Sequence, residues 1–505
     1  LYLYMEDIYP IKGYPYFGYR RGRYTKEELQ AVQAYAALFG IEVIPAIQTL
    51  AHLATTLRWS YADQMKDTAD ILLVDSEQTE AFIAAMLDSL ADIFTTRNIH
   101  VGLDEADMLG TGNYLFQYGY TQRRKIMATH MALVERLCKE RGFSPMVWSD
   151  MFIRPYSKDG GYYNVDADTV QVSEPVVAED TTLVYWDYYH TDSAFYQRYL
   201  AMHQRLASQV AFAGGAWTWC GLAPNYSLAL ASTDAAYTAC LAAGVQRAIC
   251  TLWFDNGAET PLQTALLMLT YHAFKGRKNT LGIDHIRWFN TCFDAHWDDW
   301  LLLGQFDHLP NGVEHNASAD NPSKWLLYQD PMLGLFDYHT RHFNPSSYYT
   351  DLATALARAA ERSEVWRELF TYYQELASAL ALKAEIGVQL RAYYAQKDRS
   401  NLAVLAETTL TQIRARLHQV RTLREELWSQ EAKRFGFEVI DVRFGALQGR
   451  LEATQRRINA YLNNEIDGIE ELEESALPFK ERAADSNRLY CASSNWIEII
   501  SANTV

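Results

Sequence analysis

The chain has few cysteines, few clustered positive charges and no long apolar run, and each shortage removes a class of protein. Its six cysteines (138, 220, 240, 250, 292 and 491) are scattered, with no CxxC and no Cys/His ligand spacing. That leaves no disulfide framework or zinc finger, and fits the reduced, buried thiols of a cytoplasmic protein. No run approaches the roughly 18 apolar residues of a membrane-spanning helix. Lys and Arg number 45 against 62 Asp and Glu, a net charge of −17, so nucleic acid and anionic membrane surfaces are poor partners. The short basic clusters Arg20-Arg21-Gly22-Arg23 and Arg123-Arg124-Lys125 read as solvated faces. No Gly-rich phosphate loop follows an early strand, which weakens a dinucleotide-binding sheet. An initiator Met is also lacking. Leu1 already lies in a strand pattern, and the expectation is that a segment precedes it.

Aromatic residues are abundant instead: 33 Tyr, 21 Phe and 13 Trp. Rings with a rigid apolar face and a polar tip suit weakly charged, flat ligands such as sugars. A large aromatic core accounts for the same count, so composition alone leaves both readings open.

From residue 1 to about 275, short β-rich runs alternate with amphipathic stretches. The strands are expected at Leu1–Met5, Ile41–Ile47, Ile99–Leu103, Pro145–Trp148, Leu183–Trp186, Val210–Ala213 and Ala248–Trp253. Helices are expected at Lys26–Phe39, Glu77–Phe94 and Gln122–Arg141, with Gly40 and Gly142 as left-handed C-cap residues. Such alternation builds βα units on a parallel sheet, and the near-continuous apolar strands suit a sheet covered on both faces. A (β/α)8 TIM barrel fits this length. Seven strands are visible, so the first strand is expected upstream of residue 1; Thr169–Val172 is a possible substitute. Helical periodicity takes over from about 345, near Tyr348–Arg362, Val365–Gln396 and Asn401–Arg434. There Arg414, Arg416, Arg421, Arg424, Glu425 and Glu426 are expected on solvated faces. The expected organisation is a catalytic barrel over 1–280, a connector packed on it over 281–344, and an α-helical C-terminal domain over 345–505.

Barrel active sites lie at the C-terminal ends of the strands. That rim collects Glu6-Asp7, His52, Asp104-Glu105, Trp148-Ser-Asp150, Trp186-Asp-Tyr188, Trp217-Thr-Trp219 and Trp253-Phe-Asp255. A structural barrel has no need of such a series. Adjacent carboxylates oppose each other's ionisation, so one stays protonated to higher pH beside a charged neighbour, as cleavage of a glycosidic bond requires. The bland alternative makes Asp104 a helix cap and Glu105 a solvated side chain.

His100-Val-Gly-Leu-Asp104-Glu105-Ala106 resembles the strand-four motif of glycoside hydrolase family 20, the exo-β-N-acetylhexosaminidases, and most nearly their bacterial N-acetylglucosaminidases with a C-terminal helical domain. Matching stretches include Pro15–Tyr24, Ile44–His52, Trp148–Phe152, Val184–Tyr189, Phe212–Trp217, Leu252-Trp253 and Asn321–Pro331. The resemblance implies release of terminal β-linked N-acetylglucosamine, or N-acetylgalactosamine, by substrate-assisted catalysis. It implies Glu105 as general acid and base, Asp104 as the group orienting the substrate's acetamido, and Tyr188 as the hydrogen-bond partner of the acetamido oxygen. Trp186, Trp217 and Trp253 would wall the pocket, Asp255 would hold the O4 and O6 hydroxyls, and His52 matches the His of the strand-three motif.

The sequence departs from the family pattern in four places. Trp253-Phe-Asp255 stands where the family often has Trp-x-Glu, and Asp107 where relatives often have His. The Tyr usual shortly after the next-to-last strand is absent near Trp217-Thr-Trp219, and no residue matches the sugar-binding Arg of the first barrel strand. Two other readings stand beside the hydrolase: a non-catalytic carbohydrate-binding barrel, and a metal-dependent hydrolase, for which His52 and His100 form no ligand set. The expected enzyme uses no metal or organic cofactor, acts on a small carbohydrate or glycoconjugate, binds neither nucleic acid nor membrane, is cytoplasmic, and pairs as a homodimer through its helical domain.

Overall fold

The computed structural model describes residues 1–170, 174–277, 282, 284–308, 314–340 and 343–478. Part of the Thr169–Val172 segment and Cys491 lie outside them; the other five cysteines form no disulfide. The chain divides into two compact units. One comprises 1–187, 192–214 and 235–249, the other 188–191, 215–234 and 250–505.

The first unit is built on a seven-stranded sheet in strict chain order: β1 (Tyr2–Tyr4), β2 (Ile44–Ala46), β3 (Asn98–His100), β4 (Ser144–Trp148), β5 (Thr182–Trp186), β6 (Gln209–Gly215) and β7 (Ala248–Thr251). Each pair from β1/β2 to β5/β6 is parallel. Between β6 and β7, Phe212 donates to Arg247 and Ala216 to Thr251, residues that rise together as parallel strands require. Consecutive parallel neighbours require a crossover in every connection, and most are made by a helix, such as Lys26–Ala37, Glu77–Ile93, Arg123–Glu140 and Ser193–Leu206. Thr25 opens the first of these with a reciprocal capping box to Glu28. Gly40 and Gly142 are left-handed, as their places after helices predict.

The sheet curls. The Tyr2 hydroxyl and the Arg247 guanidinium both reach the Met146 sulfur at 3.3 Å, so β1, β4 and the approach to β7 meet in one interior. In a flat sheet β1 and β7 would be six strand spacings, roughly 28 Å, apart. Burial of Ile99, Val101, Met146, Val147, Leu183, Val184, Tyr185, Ala211 and Phe212 fills the strands with apolar side chains, as the continuous apolar pattern requires.

In the second unit the long helices are Pro345–Arg362, Arg367–Lys383, Ile386–Ala395, Leu410–Glu431 and Phe437–Leu462. The expected helix over Val365–Gln396 is two helices, broken at Ala384-Glu385, where Glu385 leaves helical geometry. Arg399–Val404 leads into Leu410–Glu431 through a π-turn at Leu405–Thr409. The extra residue accommodates the five-residue step from Leu405 to Leu410, and Leu402, Leu405, Leu410, Ile413, Leu417, Val420 and Leu427 are all buried. Arg424 corrects the solvated-face expectation: it is 2% exposed. Its hydrogen bonds to the Ala258 and Glu259 carbonyls explain why a charge is tolerated there. Among the described residues no helix is long and apolar enough to cross a membrane.

Candidate active site

β3 ends abruptly. Beyond His100 the ladder continues only through Val101 and Gly102, which bond to Met146 and Trp148. The backbone then turns left-handed at Gly102 (φ 77°), Leu103 (φ 72°) and Glu105 (φ 52°). At Gly102 a side chain would collide with the Gln48 amide and the Ile47 carbonyl, so glycine is demanded twice, by conformation and by space. Leu103 and Glu105 carry strain of about 1–3 kcal/mol each. This kink takes Asp104 and Glu105 out of the alternation of a strand and lets both meet one partner.

That partner is His52, itself left-handed at φ 55°. Its Nε2 lies 3.2 Å from Asp104 Oδ2 and 3.6 Å from Glu105 Oε2. The nearer contact is an ion pair rather than an aligned hydrogen bond. Gln48, two residues past β2, donates Nε2 to Asp104 Oδ1 at 2.9 Å and to the Tyr4 hydroxyl at 3.2 Å. Burial opposes charge on Asp104, but His52 and Gln48 outweigh it and hold this carboxyl below its usual range. Glu105 goes the other way, raised by burial and then by the Asp104 charge. Burial would lower His52, yet Asp104, Glu105 and Glu6 raise it to about 9. Two adjacent carboxyls are thereby given opposite tendencies.

A third carboxyl lies beneath them. Asp150, at the end of β4 and fully buried, accepts the Glu105 amide at Oδ2 (2.9 Å) and the Trp186 indole at Oδ1 (3.4 Å). Arg154, one helical turn on, reaches Asp150 at 3.3 Å and Asp107 at 2.5 Å. Burial and then the Asp104 charge push Asp150 up to about 7. The strained Glu105 backbone is thus pinned by an acid whose proton folding retains to higher pH than usual. A raised carboxyl contributes stability that is complete below the unfolded value near 3.8 and is lost as pH rises through about 7. Asp150→Asn, which mimics the protonated acid, is therefore expected to flatten the fall in unfolding midpoint between about pH 4 and 7. A denaturant series across that range with an unchanged slope would remove Asp150 from this account.

Asp7, also on the rim, is absorbed by Arg21 (3.2 Å) and the Thr55 hydroxyl (2.9 Å). His100 is a core residue: burial lowers it to about 4, and its Nδ1 accepts the Gly102 amide. Among the described residues one group has the composition of a cation site, namely His52, Asp104 and Glu105, whose ligand atoms lie within 4.8 Å of one another. A ring nitrogen with an affinity for protons up to about pH 9 offers a proton rather than a lone pair at neutral pH, so a cation must displace that proton first.

The second unit gathers the other aromatic candidates. Trp217 (φ 55°) stacks on Trp219 at 4.6 Å and donates its indole N–H to the Tyr188 carbonyl at 2.7 Å. Tyr188 packs edge-on to Trp219 at 5.3 Å, and its hydroxyl accepts the Trp253 indole at 3.1 Å. A Cβ at Gly215 would fall 2.6 Å from Trp219 and 3.0 Å from Tyr188, so this close packing requires glycine. Asp255 is exposed in the loop after β7.

Of the predicted residues, His52, Asp104 and Glu105 come together with Trp186 one hydrogen bond away through Asp150. Tyr188, Trp217 and Trp253 form their own cluster. Gln48 and Asp150 were given no role by sequence, although Gln48 lies in the Ile44–His52 stretch and Asp150 ends a strand. Arg154 carried no signal beyond its four-residue spacing from Asp150.

Comparisons with known proteins agree on one family. The family model for the glycosyl hydrolase family 20 catalytic domain matches residues 18–213, and that for the glycoside hydrolase 20C C-terminal domain matches 298–491. Hexosaminidase D of Bos taurus is 27% identical over 192 residues, 36% of this chain and 52% of that protein. Hexosaminidase D of Homo sapiens is 26% identical over 193 residues, 36% of this chain and 37% of that protein. The chain therefore spans about half or less of the curated relatives it matches. A solved exo-β-N-acetylglucosaminidase of family 20 from Vibrio harveyi aligns over 60% of this chain and 52% of its own, with 15% identity and a TM-score of 0.40. With one family 20 model on the strands that carry Asp104 and Glu105 and another on the helical region, the chain belongs to glycoside hydrolase family 20.

Proposed function

We propose that the protein is an exo-acting β-N-acetylhexosaminidase that releases terminal β-linked N-acetylglucosamine, or N-acetylgalactosamine, with retention through an oxazoline. The observation that carries this reading is the opposite perturbation of two adjacent carboxyls. Asp104 is kept anionic by His52 and Gln48, while Glu105 keeps its proton to higher pH. In the first step the acetamido carbonyl oxygen bonds to the anomeric carbon as the bond to the leaving oxygen breaks, and Glu105 gives that oxygen its proton. Asp104 stabilises the positive charge that develops on the acetamido nitrogen. In the second step Glu105 takes a proton from water, whose oxygen opens the oxazoline and restores the acetamide. Atoms and protons balance with water alone.

The remaining roles rest on the family resemblance. Tyr188 would bond the acetamido oxygen, Trp186, Trp217 and Trp253 would pack on the sugar, Asp255 would hold O4 and O6, and His52 would keep Asp104 charged. The test is a chromogenic β-N-acetylglucosaminide beside the matching β-glucoside, with and without a chelator. The expected result is turnover of the first alone, unchanged by chelation. Equal turnover of both sugars would overturn the substrate-assisted step, and loss on chelation would favour a cation on His52, Asp104 and Glu105.

A further inference from the structure

The loop that follows β7 carries Trp253 and Asp255 and then makes three consecutive left-handed residues, Asn256 (φ 59°), Gly257 (φ 99°) and Ala258 (φ 50°). Such a run is costly in an exposed loop unless something outside it fixes the shape. Three cations of the helical region do so, and all three are buried: Lys324 1%, Arg424 2% and Arg443 2% exposed. Their heads go chiefly to the loop's carbonyls. Arg443 donates to the Asn256 carbonyl at 2.7 Å and to Asn256 Oδ1 at 3.1 Å. Lys324 reaches the same carbonyl at 3.3 Å. Arg424 donates to the Ala258 carbonyl at 3.0 Å and the Glu259 carbonyl at 3.1 Å.

Two carboxylates offset most of the charge. Glu259, 4% exposed, pairs with Lys324 at 2.5 Å and Arg443 at 3.2 Å, and accepts the Tyr328 hydroxyl at 2.5 Å. Glu431 pairs with Arg424 at 3.3 Å and accepts the Leu262 amide at 2.9 Å. A buried ion cluster is weak evidence for stability, since apolar packing would serve as well or better. What apolar residues cannot do is hold turned-in backbone carbonyls in one conformation. The helices Pro322–Tyr328, Leu410–Glu431 and Phe437–Leu462, which supply Lys324, Arg424 and Arg443, therefore read the shape of this loop.

We infer that the helical region acts in substrate recognition: Lys324, Arg424 and Arg443 are positioning residues that clamp the strained 256–258 turn and so fix Trp253 and Asp255 for the non-reducing end of the sugar. The inference rests on the roles proposed for Trp253 and Asp255, and it gives specificity to residues roughly 70 to 190 positions away in sequence.

The experiment uses the full chain with Arg443→Lys, which keeps a charge beside Glu259 but lacks the fork that spans Asn256 O and Oδ1. Gly257→Ala attacks the clamp from the loop side, because its Cβ would fall 2.5 Å from Arg443 Nη1 at a φ of 99°. Each is assayed on a β-N-acetylglucosaminide and on its 6-deoxy analogue. The wild type is expected to lose roughly 10²-fold or more in kcat/KM on the analogue, since a site built to bond a hydroxyl rejects its absence. The variants are expected to raise KM at least about 10-fold on the parent sugar and to lose most of that discrimination, because the two losses share one cause. Hydrogen exchange should quicken over residues 252–260 while the helix 437–462 stays protected. Full discrimination in a folded variant, or equal proportional losses on both sugars, would show a merely stabilising cluster and overturn the inference. Should the wild type hydrolyse neither sugar, the proposed function falls instead. The exchange measurement then still decides the clamp, which unchanged protection at 252–260 would sink.

Discussion

Glu105→Gln is expected to lower kcat/KM on a β-N-acetylglucosaminide with an unactivated leaving group by about 10²–10⁴-fold, the range for loss of a positioned general acid. On a glycoside whose leaving group departs readily as an anion, the same substitution should cost far less, since little protonation is needed. The comparison belongs in kcat/KM, which reports the first irreversible step and is blind to the later loss of the base. The acid form must be present to react, and burial and the Asp104 charge extend its survival upward in pH. Wild-type kcat/KM should therefore fall as pH rises through the Glu105 value, and the Gln variant should lack that descending limb. Near-wild-type rates on the poor leaving group, or a descending limb retained at the same pH, would take Glu105 out of this role.

The parts of this centre differ in how well the sequence displays them. The carboxyl pair was legible because it ends an apolar run, Ile99–Leu103, and β3 indeed delivers it. The barrel was legible because alternating strands and amphipathic stretches leave a parallel sheet as the economical solution. What periodicity does not encode is backbone departure from regular structure. The left-handed turns at Leu103, Glu105 and Asn256–Ala258 are set by tertiary partners, Asp150 for Glu105 and three distant cations for the β7 loop. Lys324 and Arg443 look like ordinary surface charges in the sequence, and Arg424 was read as one. Only the fold shows that carbonyls meet them. The break at Ala384-Glu385 escaped for a different reason, because apolar spacing continues across a helix break without revealing it.

Asp104→Asn carries the second large effect and separates charge from shape. The amide keeps an oxygen for Gln48 but removes the anion that His52 faces at 3.2 Å. Loss of a preorganised charge opposite one that develops in the transition state is expected to cost about 10²–10³-fold in kcat. Three further consequences have fixed signs. Because the Asp104 charge raises Glu105, the descending limb of kcat/KM should move to lower pH. Because Asp104 raises His52, the imidazole titration followed by NMR should drop from about 9 toward the ordinary value near 6.5. The stability difference follows from both partners. A depressed Asp104 contributes above its unfolded value near 3.8 and loses that as pH falls through its folded value. A raised His52 contributes fully below about 6.5, and loses that contribution as pH rises through about 9. Wild type should thus exceed the variant in unfolding midpoint between about pH 4 and 6.5, and the gap should close toward pH 9. A variant whose activity falls while His52 and the Glu105 limb stay where they were would mean that Asp104 acts by contact alone, and the electrostatic division of labour between the two carboxyls would have to be abandoned.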